Sequence, residues 1–83
     1  MIMQISELSA MKTWQSYEGQ HRFYLYEGNA EVGKDESDAY DTKREAIARA
    51  KIHLQNAWDM GFRTFEVHVI DRKTTEFIHT ETL

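Results

Sequence analysis

The spacing of apolar positions along this chain changes twice, and the changes divide it into elements. From His21 to Glu27, Phe23 and Leu25 alternate with Arg22, Tyr24 and Tyr26, the period of two expected of a strand with one buried face. Gly28-Asn29 then marks a turn. Ala30 to Lys34 reads as a short returning strand and Asp35 to Asp41 as polar loop. From Thr42 to Met60 the period lengthens. At about 100° per residue, Ala46, Ile47, Ala50, Leu54, Ala57 and Trp58 gather within an arc of roughly 120°, which predicts an amphipathic helix. Thr42 and Glu45 form a capping box at its start, and Gly61 supplies a left-handed cap at its end. The alanines on the stripe imply a close approach of helix to sheet. Strand periodicity returns from Phe62 to Asp71. Phe65, Val67 and Val69 face one way, and Thr64, Glu66, His68 and Ile70 the other. Arg72 to Thr75 reads as a turn and Glu76 to Glu81 as a last strand, with Phe77 inward.

The first twenty residues read two ways. Ser6 caps a short helix carrying Leu8, Met11 and Trp14, or Thr13 to Tyr17 forms a strand that hairpins through Glu18-Gly19-Gln20. The glycine at the turn favours the strand. The expected architecture is one α+β domain over residues 1–83: an antiparallel sheet of four to five strands, order (β)ββαββ, with one helix packed on one face. Two hairpins flanking a helix need a crossover. A single helix covers one face of the sheet, so the other face is wet or is a binding surface.

Length and composition narrow the function. A chain of 83 residues buries a modest core and leaves little room for a deep substrate cavity. With no cysteine, disulfides and thiolate metal sites are excluded, which fits a reducing compartment. No apolar run approaches the roughly 20 residues of a membrane span, and the run from Met1 to Ile5 lacks the basic region and apolar core of a signal peptide. A cytoplasmic location is therefore expected. The net charge of −4 opposes phosphate backbones and is unevenly placed. Glu27, Glu31, Asp35, Glu36, Asp38 and Asp41 share one short stretch with Lys34 alone, whereas Lys43, Arg44, Arg49 and Lys51 follow on the helix.

Candidate chemistry is sparse. Gly28 to Asp35 has the spacing of a phosphate loop, but Asp35 and Glu36 stand where a hydroxyl and a helix start are needed, so the stretch reads as a hairpin turn. His21, His53, His68 and His79 lack ready metal-pair spacing. His68 and His79 reach each other only as cross-strand neighbours, with Glu66 nearby. The serines lack a nucleophile context, and the acidic run lacks the glycine and glutamate of a calcium loop. No catalytic set, cofactor or metal is expected. Tyr24 and Tyr26, on the face opposite Phe23 and Leu25, form with Arg22 and Arg63 a candidate platform for protein or for single-stranded nucleic acid.

Tyr40-Asp41-Thr42-Lys43-Arg44-Glu45-Ala46, between a hairpin and an alanine-rich helix, resembles the strand-to-helix joint of small ββαββ proteins of phages and mobile elements. It is also similar to the joint in the arm-type DNA-binding domains of phage integrases, although this chain is acidic and adds two strands after the helix. In size, acidity and lack of a catalytic set it resembles anti-CRISPR-type inhibitors, which occupy a host machine's nucleic-acid site. That resemblance implies a non-catalytic protein-binding module whose partner has a basic surface. Glu31, Asp35, Glu36 and Asp38, with Tyr24 and Tyr26, are its expected contacts. Nucleic-acid binding through the open sheet face and a small structural homodimer are the alternatives.

Overall fold

The computed structural model of the chain describes residues 21–83. Both readings of the N-terminal segment, including those of Trp14 and Thr13 to Tyr17, fall outside the described residues. Within them the chain forms β1 (Phe23–Asn29), β2 (Gly33–Tyr40), α1 (Lys43–Asp59), β3 (Glu66–Asp71) and β4 (Glu76–Thr82). The strands make one antiparallel sheet in the order β2-β1-β3-β4. The expected ββαββ order and the crossover are both present, because α1 carries the chain from edge strand β2 past β1 to β3.

The helix lies against one face. Leu25 of β1 and Val67 and Val69 of β3 are fully buried beneath Ala46 and Ala50. Phe23, Tyr40, Ile47, Leu54, Phe65 and Ile78 close the rim of this core. The methyl side chains of Ala46 and Ala50 add no bulk between helix and sheet, so the larger side chains of the central strands meet the helix directly. Thr42 caps α1 through its side-chain oxygen, which accepts the Glu45 N–H at 3.2 Å. At the other end the Gly61 N–H donates to Trp58 O and the Phe62 N–H to Ala57 O, with Gly61 at φ 103°. These two hydrogen bonds form the glycine-terminated helix end that the sequence implied.

Four local expectations are corrected. The returning strand is not Ala30 to Lys34 followed by loop, since β2 spans Gly33–Tyr40 and takes in Asp35, Glu36 and Asp38. The turn before it is tightened by Asn29, whose Oδ1 accepts the N–H groups of Glu31 and Val32. The strand after the helix begins at Glu66 rather than Phe62, because the cap holds Phe62 back against the helix end. Trp58 is not buried on the stripe. It is 46% exposed and stacks with the Arg63 guanidinium at 3.7 Å. Phe77 does not point inward. A bulge in the β3–β4 ladder pairs Val69 with His79 but Ile70 with Phe77, which moves Phe77 to the face away from the helix and turns Ile78 into the core. Among the described residues, no helix is long and apolar enough to cross a membrane.

Candidate functional site

The sheet face opposite α1 is assembled by register. Tyr24 pairs with Ile70 and Tyr26 with His68 across β1 and β3, while Ile70 pairs with Phe77 and His68 with Thr80 across β3 and β4. These side chains therefore share one surface. Tyr26 and His68 have ring centroids 6.2 Å apart, Tyr26 and Phe77 lie edge-on at 6.3 Å, and His68 and Phe77 are 4.7 Å apart. Phe77 remains 57% exposed. At one end of the face the Arg72 guanidinium lies 4.4 Å from the Tyr24 ring centre and pairs with Glu36 of β2. At the other end the Lys34 ammonium donates to Glu66 Oε1 at 2.5 Å and lies 3.2 Å from His68 Nε2. His68 Nε2 also lies 3.1 Å from Glu66 Oε1, and its Nδ1 lies 2.9 Å from Thr80 Oγ1, so both ring nitrogens are engaged. Beyond Lys34 the surface dips into an open concavity of about 630 Å³ bounded by Tyr26, Asn29, Lys34, Thr64 and Glu66.

The six side chains expected to make contact are divided by the fold. Tyr24, Tyr26 and Glu36 lie on this open face. Asp35 and Asp38 pair with Glu27 and Leu25 and so project on the helix side of edge strand β2. Glu31 is exposed in the preceding turn. The division follows from the strand period of two and from a second bulge, which leaves Ser37 unpaired between Leu25–Asp38 and Tyr26–Glu36. Arg63 is absent from the platform because it serves the helix end, where it donates to Trp58 O and Phe62 O. Arg22 stands at the rim, in a two-pronged bond to Asp71 at 2.8 and 2.9 Å. Arg72 takes the place next to the tyrosines. Nothing in the sequence pattern marks it, since it opens a turn and only its bonds back to the chain around Arg22 put it there.

Most of the acidic stretch is occupied by the protein itself. Glu27 meets His53 Nδ1 at 2.7 Å, Asp41 meets His21 Nδ1 at 2.7 Å, Glu36 holds Arg72, and Asp38 accepts the Tyr40 hydroxyl at 2.7 Å. Glu31 and Asp35 remain without a side-chain partner among the described residues. His68 and His79 are not neighbours, for they lie on opposite faces, His79 toward the helix side with Glu81. Among the described residues no group of three or more histidines and carboxylates has the geometry to hold a metal.

Four carboxylates are held below their ordinary range by donors: Asp38 by the Tyr40 hydroxyl, Glu66 by Lys34, Asp71 by Arg22 and Glu81 by His79. Each binds its proton less readily folded than unfolded. Their contribution is therefore complete above the unfolded carboxylate range, near pH 4, and is lost as pH falls through the depressed folded values. We expect the urea midpoint to drop steadily with acidification below about pH 4.5. Asp71→Asn should flatten part of that slope, and an unchanged slope in this variant would remove the Arg22–Asp71 pair from the account.

Comparison with family models, with curated proteins and with solved structures finds no match to this chain.

Proposed function

We propose that this chain is a non-catalytic protein-binding module whose contact surface is the open sheet face, with the acidic edge of β2 beside it. The observation that supports this reading is Phe77, more than half exposed, edge-on to Tyr26 and tilted against His68 on the face that α1 leaves uncovered. Aromatic side chains on a rigid strand lose little freedom when a partner covers them, and they anchor protein interfaces. The exposed acids Glu31, Asp35 and Asp38 lie along the opposite edge of the sheet, in β2 and the turn before it, and suit a partner whose rim is basic. An inhibitor that covers the nucleic-acid groove of a host complex is one such module.

Charge favours protein over nucleic acid as the partner. The cations at this face are already engaged, Arg22 with Asp71, Arg72 with Glu36 and Lys34 with Glu66. A phosphate backbone would have to break those pairs against an overall charge of −4.

Affinity capture on the immobilised chain, from a lysate of its source with and without nuclease, tests the proposal. A captured protein should survive nuclease and be retained at least about tenfold less by Phe77→Glu, as expected for loss of an aromatic anchor. Release by nuclease, or equal capture by Phe77→Glu, would overturn the assignment to this face.

A further inference from the structure

The two edges of the sheet differ. β2 lines its edge with Asp35, Glu36 and Asp38 and carries a bulge at Ser37. β4 has its bulge near the turn, at Ile78, and from His79 to Thr82 its pairing with β3 is regular. Two hydrogen bonds fix which way its backbone points. The Leu83 N–H donates to Phe65 O at 3.1 Å, so by the alternation of an antiparallel ladder His79 and Glu81 also turn their backbone groups toward β3. The Arg72 N–H donates to Arg22 O at 2.8 Å, which turns His68 and Ile70 toward β1 and leaves Val67 and Val69 to meet Glu81 and His79, in agreement. Thr80 and Thr82 therefore direct their N–H and C=O groups outward, where β4 has no neighbouring strand among the described residues. Both residues are exposed, and the strand holds neither the lysine nor the proline that commonly blunts an edge.

Glu81 stands between these threonines, on the helix side. Lys51 at 3.1 Å and His79 at 2.5 Å both approach its Oε2, and its Oε1 has no partner among the described residues. A second copy does not suit this edge. Antiparallel pairing that engages both threonines sets Glu81 directly against its counterpart, and like charges in that position weaken a strand pair. A lysine or arginine there instead supplies a donor to the carboxylate. On the open side the neighbours are Thr80, Thr82 and the exposed ring of Phe77.

We infer that the partner is held by strand addition: an extended segment of another protein bonds to the outward backbone of Thr80 and Thr82, places a basic residue opposite Glu81 and an apolar one beside Phe77. This deepens the proposed function and rests on it, since it names how that partner is held.

The test uses the full isotope-labelled chain and a blocked peptide, acetyl-Val-Lys-Val-Thr-Val-amide, followed by amide shifts and hydrogen exchange. In the free chain Thr80 and Thr82 should exchange faster than His79 and Glu81. At millimolar peptide, shifts should centre on residues 79–82 and the two threonine amides should become protected. Glutamate in place of the peptide's lysine should weaken binding about threefold or more. Methylating the nitrogens of the two valines that flank the lysine should abolish it, and methylating the lysine nitrogen should not, with the protein unaltered throughout. Protection of Thr80 and Thr82 in the free chain, no shifts, shifts centred on β2, or indifference to which nitrogens are methylated would overturn the inference. A failed peptide beside capture that Phe77→Glu abolishes would remove the edge and keep the face. Binding as expected beside capture that ignores Phe77→Glu would do the reverse.

Discussion

Gly28→Ala is expected to remove most of the domain's stability. Gly28 is buried in β1, where it pairs with Lys34 on one side and Glu66 on the other. Its φ of +148° is a conformation that residues with a Cβ rarely adopt. A Cβ built there falls 1.8 Å from the carbonyl oxygen of Gly33, far inside contact distance, and the obstacle is backbone with no flexible end to swing away. Strain and overlap together should cost more than about 3 kcal/mol, against a total of roughly 5 kcal/mol for a domain of this size. Gly33→Ala in the same turn is the internal comparison. It carries a φ of +82° but meets nothing within 4 Å, so it should cost only about 1 kcal/mol. Urea unfolding followed by circular dichroism distinguishes the two. Equal midpoints for both variants would show that the hairpin backbone relaxes and that the close approach at Gly28 is not a constraint.

Leu25→Ala is the second large effect. Leu25 is fully buried at the centre of the sheet, with β2 and β3 on either side. Its neighbours in the core include Ala46 and Ala50, whose methyl groups have no reach with which to fill a void. Removing three carbons there should cost about 3–4 kcal/mol, toward the upper part of the range for such truncations. The measurable consequence is a loss of well over half the urea midpoint. A cost below about 1.5 kcal/mol would mean that α1 settles onto the sheet and closes the space.

What the sequence made legible was whatever local physics decides. The helix from its Thr42 cap to its Gly61 terminator and the core side chains Leu25, Val67 and Val69 follow from cap chemistry and period, whereas the turn expected at Gly28-Asn29 falls one step later, at residues 30–32, with both residues paired in β1. What it hid was decided by partners distant in the chain. β2 carries GKDESDAY, poor in strand-forming residues. It is a strand because β1 presents a row of backbone groups that need partners, and as an edge strand it can keep its charged side chains in water. Those charges also blunt an edge that would otherwise pair with other chains. Phe77 was misplaced because one extra residue in a bulge inverts every side chain beyond it, and no periodicity reveals a bulge in advance. For the candidate site, Tyr24 and Tyr26 were legible as a pair facing away from the core. Arg72 was not, since its place depends on how the turn after β3 folds back beside Arg22. Likewise the acidic run is less free than its sequence suggests, because His53, His21 and Arg72 reach it only in the folded chain.

The strand order has a consequence for how the chain finds its structure. The β1–β2 and β3–β4 pairs each close over a few residues, while the seam between β1 and β3 encloses β2 and the whole of α1. Short loops cost little entropy to close and long ones more, so the hairpins are assembled locally and the seam is the late, expensive contact. Leu25, Val67 and Val69 all lie along that seam, opposite the helix. Docking α1 on two hairpins held side by side is thus the step that commits the chain, and its speed should resemble that of mixed helix-and-sheet domains rather than of helical bundles.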